Sequence, residues 1–160
     1  MSDCRISAAS EQGVHLLRLE GDVRLTMCTA LDEYCERVFN DPEFASVAVD
    51  VTHATGLDST VLGMLAKLAL STKERFDFKP RLYSTNAGID RLLQAMGFAQ
   101  LFELCHSGND AVAAAEPLPL TPATEAQVRE KVIEAHRTLM AMSVENQAAF
   151  EDLVRTLEES

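Results

Sequence analysis

Short apolar runs separated by polar turns open the chain. Residues 5–8 (RISA) have the size of an edge strand, and Glu11-Gln12-Gly13 marks a turn. Residues 14–20 (VHLLRLE), with Leu16, Leu17 and Leu19, read as a strand that ends at Gly21 and pairs with the first as a hairpin. The period then changes. Leu25, Cys28, Leu31, Tyr34, Cys35 and Val38 recur at three- and four-residue steps, which gathers them on one face of a helix over residues 26–39. Asn40-Asp41-Pro42 stops it. Residues 46–51 (SVAVDV) read as a buried strand and residues 52–57 as a loop. A helix starts at Asp58 or Ser59 and runs to about residue 75, with Val61, Leu62, Leu65, Leu68 and Ala69 toward a core and Lys67, Thr72 and Lys73 toward water. Pro80 opens a strand over residues 81–83. Residues 86–96 form a helix with Ile89, Leu92, Leu93 and Met96 on one face, ended by Gly97. Residues 102–105 are a last short strand and 110–115 a last short helix. Strands separated by helices imply an α/β layer fold with crossover connections.

Beyond this point the pattern changes again. Residues 116–124 (EPLPLTPAT) hold three prolines in nine positions, the mark of an extended linker. Thr124, with Gln127 three residues later, fits a capping box, and a long helix follows over residues 127–158. Val128, Val132, Ala135, Leu139 and Met142 form one apolar row. Ala149 and Leu153 extend it, and Ile133, Met140, Phe150, Val154 and Leu157 widen it. Ser143 is a good cap and marks where this helix can break. The organisation expected is a domain over residues 1–115, a Pro-rich linker over 116–124 and a C-terminal helical extension over 125–160. The extension either packs back on the domain or offers its apolar face to a partner; the pattern leaves both open.

Composition narrows the classes. The chain is 47% hydrophobic, enough for a core, and lacks Trp, so that core is aliphatic. A formal charge of −11 repels the DNA backbone, so no nucleic-acid partner is expected. Cys4, Cys28, Cys35 and Cys105 form no Cys-x-x-Cys pair and have no histidine at metal-ligand spacing, so they read as reduced apolar side chains. No Gly-rich phosphate loop or carboxylate cluster suggests a cofactor or metal. Met1-Ser2-Asp3-Cys4-Arg5 is not the start of a signal peptide, and no run approaches the ~18 apolar residues of a membrane span. A cytoplasmic location is the expectation.

The segment VAVDVTHATGLDSTVLGMLAKLAL, residues 47–70, joins an apolar strand, a loop and Asp-Ser-Thr-x-Leu-Gly at the entry to an apolar helix. It resembles the STAS domain of bacterial anti-sigma factor antagonists, in which the serine after the Asp is phosphorylated. That motif maps onto Asp58, Ser59, Thr60, Leu62 and Gly63, with Val61 where many members have Gly. VHLLRLEGD, residues 14–22, is similar to the family's strand ending in Gly-Glu/Asp, although Arg24 stands where members carry an acid. IDRLLQAMGFAQLFELC, residues 89–105, is similar to its later helix, turn and strand. The resemblance covers residues 5–115. It implies a STAS fold, a mixed sheet of four to five strands with helices packed on it, here with a C-terminal helical extension. A STAS domain extended in this way also resembles the phosphorelay-linked antagonist of secretion and biofilm control in pseudomonads.

The resemblance further implies a binding protein and not an enzyme. Unphosphorylated, it would sequester an anti-sigma factor or equivalent regulator. A serine kinase of the histidine-kinase-like ATPase fold would phosphorylate Ser59 and a metal-dependent phosphatase would reverse it. Leu57, Gly56, Asp58, Thr60, Leu62, Gly63, Asp22 and Arg24 are the expected partner-binding residues. Physically, a helix N-terminus tolerates an anion, and a phosphate adds about −1.5 to −2 charges. Burying that dianion in an interface without a cation costs several kcal/mol.

Other readings use the same residues. Asp58 and Ser59 are both good N-caps, with no further role required. Ser59 as a hydrolase nucleophile would need a base from His53 or His106, and the Gly-x-Ser-x-Gly elbow is missing. His136 as a phosphotransfer histidine lacks the Lys-Gly expected after it, since Met140 and Ala141 follow, and it reads as a surface or boundary residue. STAS modules also serve as soluble subunits of lipid-trafficking or transport complexes.

Overall fold

The computed structural model describes residues 4–107, 115–120 and 122–160. Strands β1 (Arg5–Glu11) and β2 (Val14–Val23) pair antiparallel around the Gln12-Gly13 turn, from Arg5 opposite Glu20 to Glu11 opposite Val14. Helix α1 (Cys28–Phe39) returns the chain to β3 (Ser46–Asp50), which lies parallel to β2. Strand β4 (Ala54–Leu57) leads into helix α2 (Ser59–Phe76). Strand β5 (Arg81–Tyr83), helix α3 (Ala87–Ala95) and strand β6 (Glu103–Cys105) extend the parallel part. Strand β7 (Glu116–Pro117) lies antiparallel to β1. The sheet order is β6-β5-β3-β2-β1-β7, with β4 on β2 off this path.

Two of these seven strands were not expected. The segment assigned to a loop over residues 52–57 contains β4. Strand β2 pairs with β3 as far as Arg18 and then, from Gly21 to Val23, with β4, with a register shift between Gly21 and Asp22 that passes over Thr55. Ala54-Thr55-Gly56-Leu57 is too short, and too poor in β-branched residues, to announce a strand. The Pro-rich segment is not free along its length either. Its first residues add β7 to the sheet edge, and the Leu118 N–H donates to the Ile6 carbonyl at 2.9 Å. Prolines are tolerated there because an edge strand needs fewer donors. Of the helix expected at 110–115, residues 110–114 lie outside the described residues.

Helix α2 is the centre of the molecule. Val61, Leu62, Leu65, Leu68 and Ala69 are buried with Leu17, Leu19, Val49, Leu82 and Phe98 in one core. Thr72 was expected to face water. It is buried, and its hydroxyl donates to the Leu68 carbonyl at 2.8 Å, which satisfies it within the helix. The C-terminal end of α2 sits in an aromatic cluster, with Phe44 stacked on Phe76 at 4.2 Å and Phe39 beside both.

The long C-terminal helix is two helices, α4 (Glu125–Met140) and α5 (Val144–Glu158). Both caps foreseen in the sequence are present. Thr124 and Gln127 form the reciprocal capping box, and the Ser143 hydroxyl accepts the Asn146 N–H at 3.0 Å. Between the two arrangements left open, the hairpin docks on its own domain. Ala135 and Leu139 belong to the same core as α2. A Cβ on Gly63 would lie 2.3 Å from the Ala135 carbonyl oxygen, so the glycine is what lets α4 approach α2 this closely. Asn146, buried, donates to the Met96 carbonyl at 3.1 Å and to the Leu139 carbonyl at 3.0 Å, which pins α5 to the end of α3.

Candidate functional site

The site forms where β4 hands the chain to α2. The Asp58 N–H donates to the Val23 carbonyl at 3.1 Å, so β4 brings Asp58 beside the end of β2. The Asp58 carboxylate then serves two backbones. One oxygen accepts the Val61 N–H at 2.9 Å and caps α2. The other accepts the Leu25 N–H at 2.6 Å and holds a single 3-10 turn, Leu25–Met27. Asp58 is therefore fixed in place, and Ser59 is the first residue of α2, half-buried at a positive helix end.

The partner of Ser59 comes from the far end of the sequence. Its hydroxyl oxygen lies 2.7 Å from Nε2 of His136, and Nδ1 of the same ring lies 2.7 Å from the Val132 carbonyl. A carbonyl only accepts, so Nδ1 carries a proton, and in the neutral ring Nε2 accepts the Ser59 O–H. Only 1% of His136 is exposed, and Phe150 of α5 stands edge-on to its ring at 5.1 Å. The surface or boundary position expected for His136 is thus overturned. A signal was present in the sequence: Val132, Ala135, His136 and Leu139 share one helical stripe, so His136 was on the inward face. His53 and His106, the candidate bases for Ser59, are not its partner; His106 pairs with Asp90 at 3.5 Å. The group behind the His136 imidazole is a neutral carbonyl, which does not stabilise an imidazolium as a catalytic carboxylate does.

The other expected residues surround this pair. Asp22 and Arg24 form an ion pair at 2.8 Å. That hydrogen bond and the Asp22 charge, with a smaller part from Asp58, hold the Arg24 guanidinium above its ordinary value. Gly56 lies against Asp22, where a Cβ would stand 2.7 Å from a carboxylate oxygen. Leu57 at 8%, Thr60 at 2% and Leu62 at 1% exposure belong to the interior, and Gly63 lies beneath Ala135. The face that is open around Ser59 is a groove of about 830 Å³. The 3-10 turn contributes Leu25 to it, α4 contributes Val128, Arg129 and Val132, and α5 contributes Leu153 and Leu157. Asp58, Ser59 and His136 line it on one side, and Glu125 and Arg129 of α4 bring opposite charges to it.

A charged cluster flanks the other side of α4. Lys131 Nζ lies 2.5 Å from Asp32 of α1, and Lys67 of α2 pairs with both Asp32 and Glu134. The Asp32 hydrogen bond raises Lys131 above its ordinary value. Burial alone would lower Lys67, but the Glu134 hydrogen bond and the Asp32 charge outweigh it and the net shift is upward. Among the described residues, no group of three or more His, Cys, Asp or Glu is placed to hold a metal ion, and no helix is long and apolar enough to cross a membrane.

The site is thus a mixed sheet from which a serine-bearing helix leaves at the end of β4, capped by Asp58. The model of the STAS domain matches residues 5–111, more than half of the chain, and the chain belongs to the STAS domain family. Comparison with curated proteins finds no match.

Proposed function

We propose that this chain is an anti-sigma factor antagonist whose binding is switched by reversible phosphorylation of Ser59. The observation that carries this reading is the placement of Ser59. It is the first residue of α2, beside a cap that stays fixed, with its hydroxyl at the wall of an open groove. Unphosphorylated, the protein sequesters an anti-sigma factor or equivalent regulator through the surface around Ser59, with Asp58, Gly56, Asp22 and Arg24 at its rim. A serine kinase adds the phosphate and a metal-dependent phosphatase removes it. The added dianion, next to the Asp58 carboxylate, opposes a docked partner that brings no matching cation. The protein acts in the cytoplasm, as a binding protein and not as an enzyme. The helical extension supports the narrower assignment to phosphorelay-linked control of secretion, motility or biofilm formation, as in pseudomonads.

Two measurements test this. Protein purified from its native cell should lose one phosphate mass on phosphatase treatment, and Ser59→Ala should abolish that difference. In pull-downs from the same cell, Ser59→Ala should retain a sigma-factor regulator and Ser59→Asp should lose it. Equal capture by both variants overturns the switch. Capture of an ABC-type ATPase instead assigns the chain to a lipid-trafficking or transport complex.

A further inference from the structure

A hydrogen bond of 2.7 Å joins the Ser59 hydroxyl, at the start of α2, to Nε2 of His136 in α4. Nδ1 of the same ring donates to the Val132 carbonyl at 2.7 Å, so the imidazole is held from behind and turns away only by losing that bond. The ring is 1% exposed and faces Ser59, so it meets whatever group Ser59 carries. Arg129 lies two turns earlier on α4 and lines the same groove. We infer that His136, with Arg129, is a built-in reader of phosphoserine at position 59, whose imidazolium clamps the phosphate and holds α4 down on α2. This regulation deepens the phosphoserine reading and rests on it for its biological use.

Phosphorylation replaces the Oγ–H bond of Ser59 by an Oγ–P bond, with a nucleoside triphosphate as phosphoryl donor and the hydroxyl proton released to solvent. The new group brings acceptor oxygens and about −1.5 to −2 charges. The groove of about 830 Å³ beside Ser59 gives it room. The Nδ1 proton is already committed to Val132, so Nε2 bonds an acceptor oxygen only by carrying a proton of its own. The ring takes that proton from solvent, and a dianion in contact favours the uptake. A hydrogen bond between charged partners is roughly twice as strong as the neutral one it replaces.

The surrounding charges fall on two sides. Asp58 caps α2, and the Asp22–Arg24 ion pair stands near it at the end of β2. These groups act on the phosphate whether α4 is docked or not. Helix α4 brings His136, Arg129 and Glu125, so with the imidazolium counted it adds two cations against one carboxylate. Arg129 gives one N–H to the Ser160 carbonyl at 3.4 Å and has the rest of its fork for phosphate. Helix α5 presents only uncharged side chains here, Phe150 edge-on to the imidazole and Leu153 and Leu157 on the groove. Lys67, Lys131, Asp32 and Glu134 pair with one another on the other side of α4. Docking of α4 is therefore favoured more in the phosphorylated chain than in the unmodified one. The phosphorylated form is the one whose cover over α2 is harder to displace, in keeping with the unmodified form as the one that accepts a partner.

Amide hydrogen exchange on the full chain tests the clamp, with Ser59 either unmodified or installed as phosphoserine during translation and the sheet amides as internal reference. Phosphoserine should slow exchange across Glu125–Met140 about threefold to tenfold relative to the sheet. Arg129→Met should remove part of that gain. Nitrogen NMR of the His136 ring at neutral pH gives a readout that needs no substitution. One ring nitrogen should be bare in the unmodified chain and both protonated in the phosphoserine chain. Equal or faster α4 exchange with phosphoserine overturns the clamp, and so does a ring that keeps its bare nitrogen. A gain that Arg129→Met leaves whole overturns the part given to Arg129. The installed phosphate separates this result from the parent reading. Native protein that never carries phosphate at Ser59 defeats that reading, while the exchange and ring data still decide whether the clamp exists.

Discussion

The sheet domain and the C-terminal hairpin contain helices of similar length, held by different means. Helix α2 is buried along most of its length, and its contacts are aliphatic and continuous. The hairpin buries few side chains, and three of them are Ala135, His136 and Asn146. To the apolar contacts of Ala135, Leu139, Val128, Met142 and Phe150 its attachment adds one close backbone approach, two buried polar residues and one charged cluster. Apolar burial is additive and forgiving, whereas such point contacts fail one at a time. The hairpin is therefore the part whose attachment a single substitution at a polar or close-approach position weakens most.

The sharpest way to break this contrast is from the core. Leu65→Ala should cost about 2–5 kcal/mol and lower the denaturation midpoint of the whole chain, sheet and hairpin together. A next step is Gly63→Ala. The added methyl meets the Ala135 backbone, and the expected cost of about 1–3 kcal/mol should appear in hydrogen exchange as loss of protection in α4 and α5 with the sheet amides unchanged. Asn146→Ala removes the side-chain donor to the Met96 carbonyl and one of two donors to the Leu139 carbonyl, which keeps the Met142 N–H. It should destabilise the α5 attachment by about 1–3 kcal/mol, read as faster exchange in α5. Asp58→Ala removes one cap from α2 and one from the 3-10 turn, for about 0.5–2 kcal/mol in chemical denaturation.

The smallest effect is electrostatic. Lys131 has a folded-state value raised by Asp32, so its contribution is fully present below the ordinary lysine value of about 10.4 and is lost as pH rises through the folded value. Hairpin exchange, corrected for the intrinsic rate, should show no Lys131-dependent change between neutral pH and pH ~9. Lys131→Met should weaken docking by about 0–1 kcal/mol.

The same contrast explains what could be read in advance. Elements with a clean period were legible: α1, α2, β5 and α3 lie close to where the apolar spacing puts them, and the Thr124 and Ser143 caps are both in use. Ser59 stands at the start of α2, as the Asp-Ser-Thr motif implies. Strand β4 was invisible because four residues carry too little pattern of their own, and they are a strand only through pairing with the Gly21–Val23 end of β2. The Ser59–His136 bond was invisible because it joins positions 77 apart, and no local rule links the N-terminus of one helix to the middle of another. Gly63 suggested a close backbone approach, but not that the approaching backbone belongs to this chain.

The capping box at Thr124 bears on how α4 begins to form. Its two hydrogen bonds lie within a four-residue stretch, so they need no contact with the sheet to be made. Winding the first turn is the entropically costly part of making a short helix. A chain that carries this nucleus in its own local sequence brings α4 to α2 as an element already started, and the core contacts of Ala135 and Leu139 then have only to complete it.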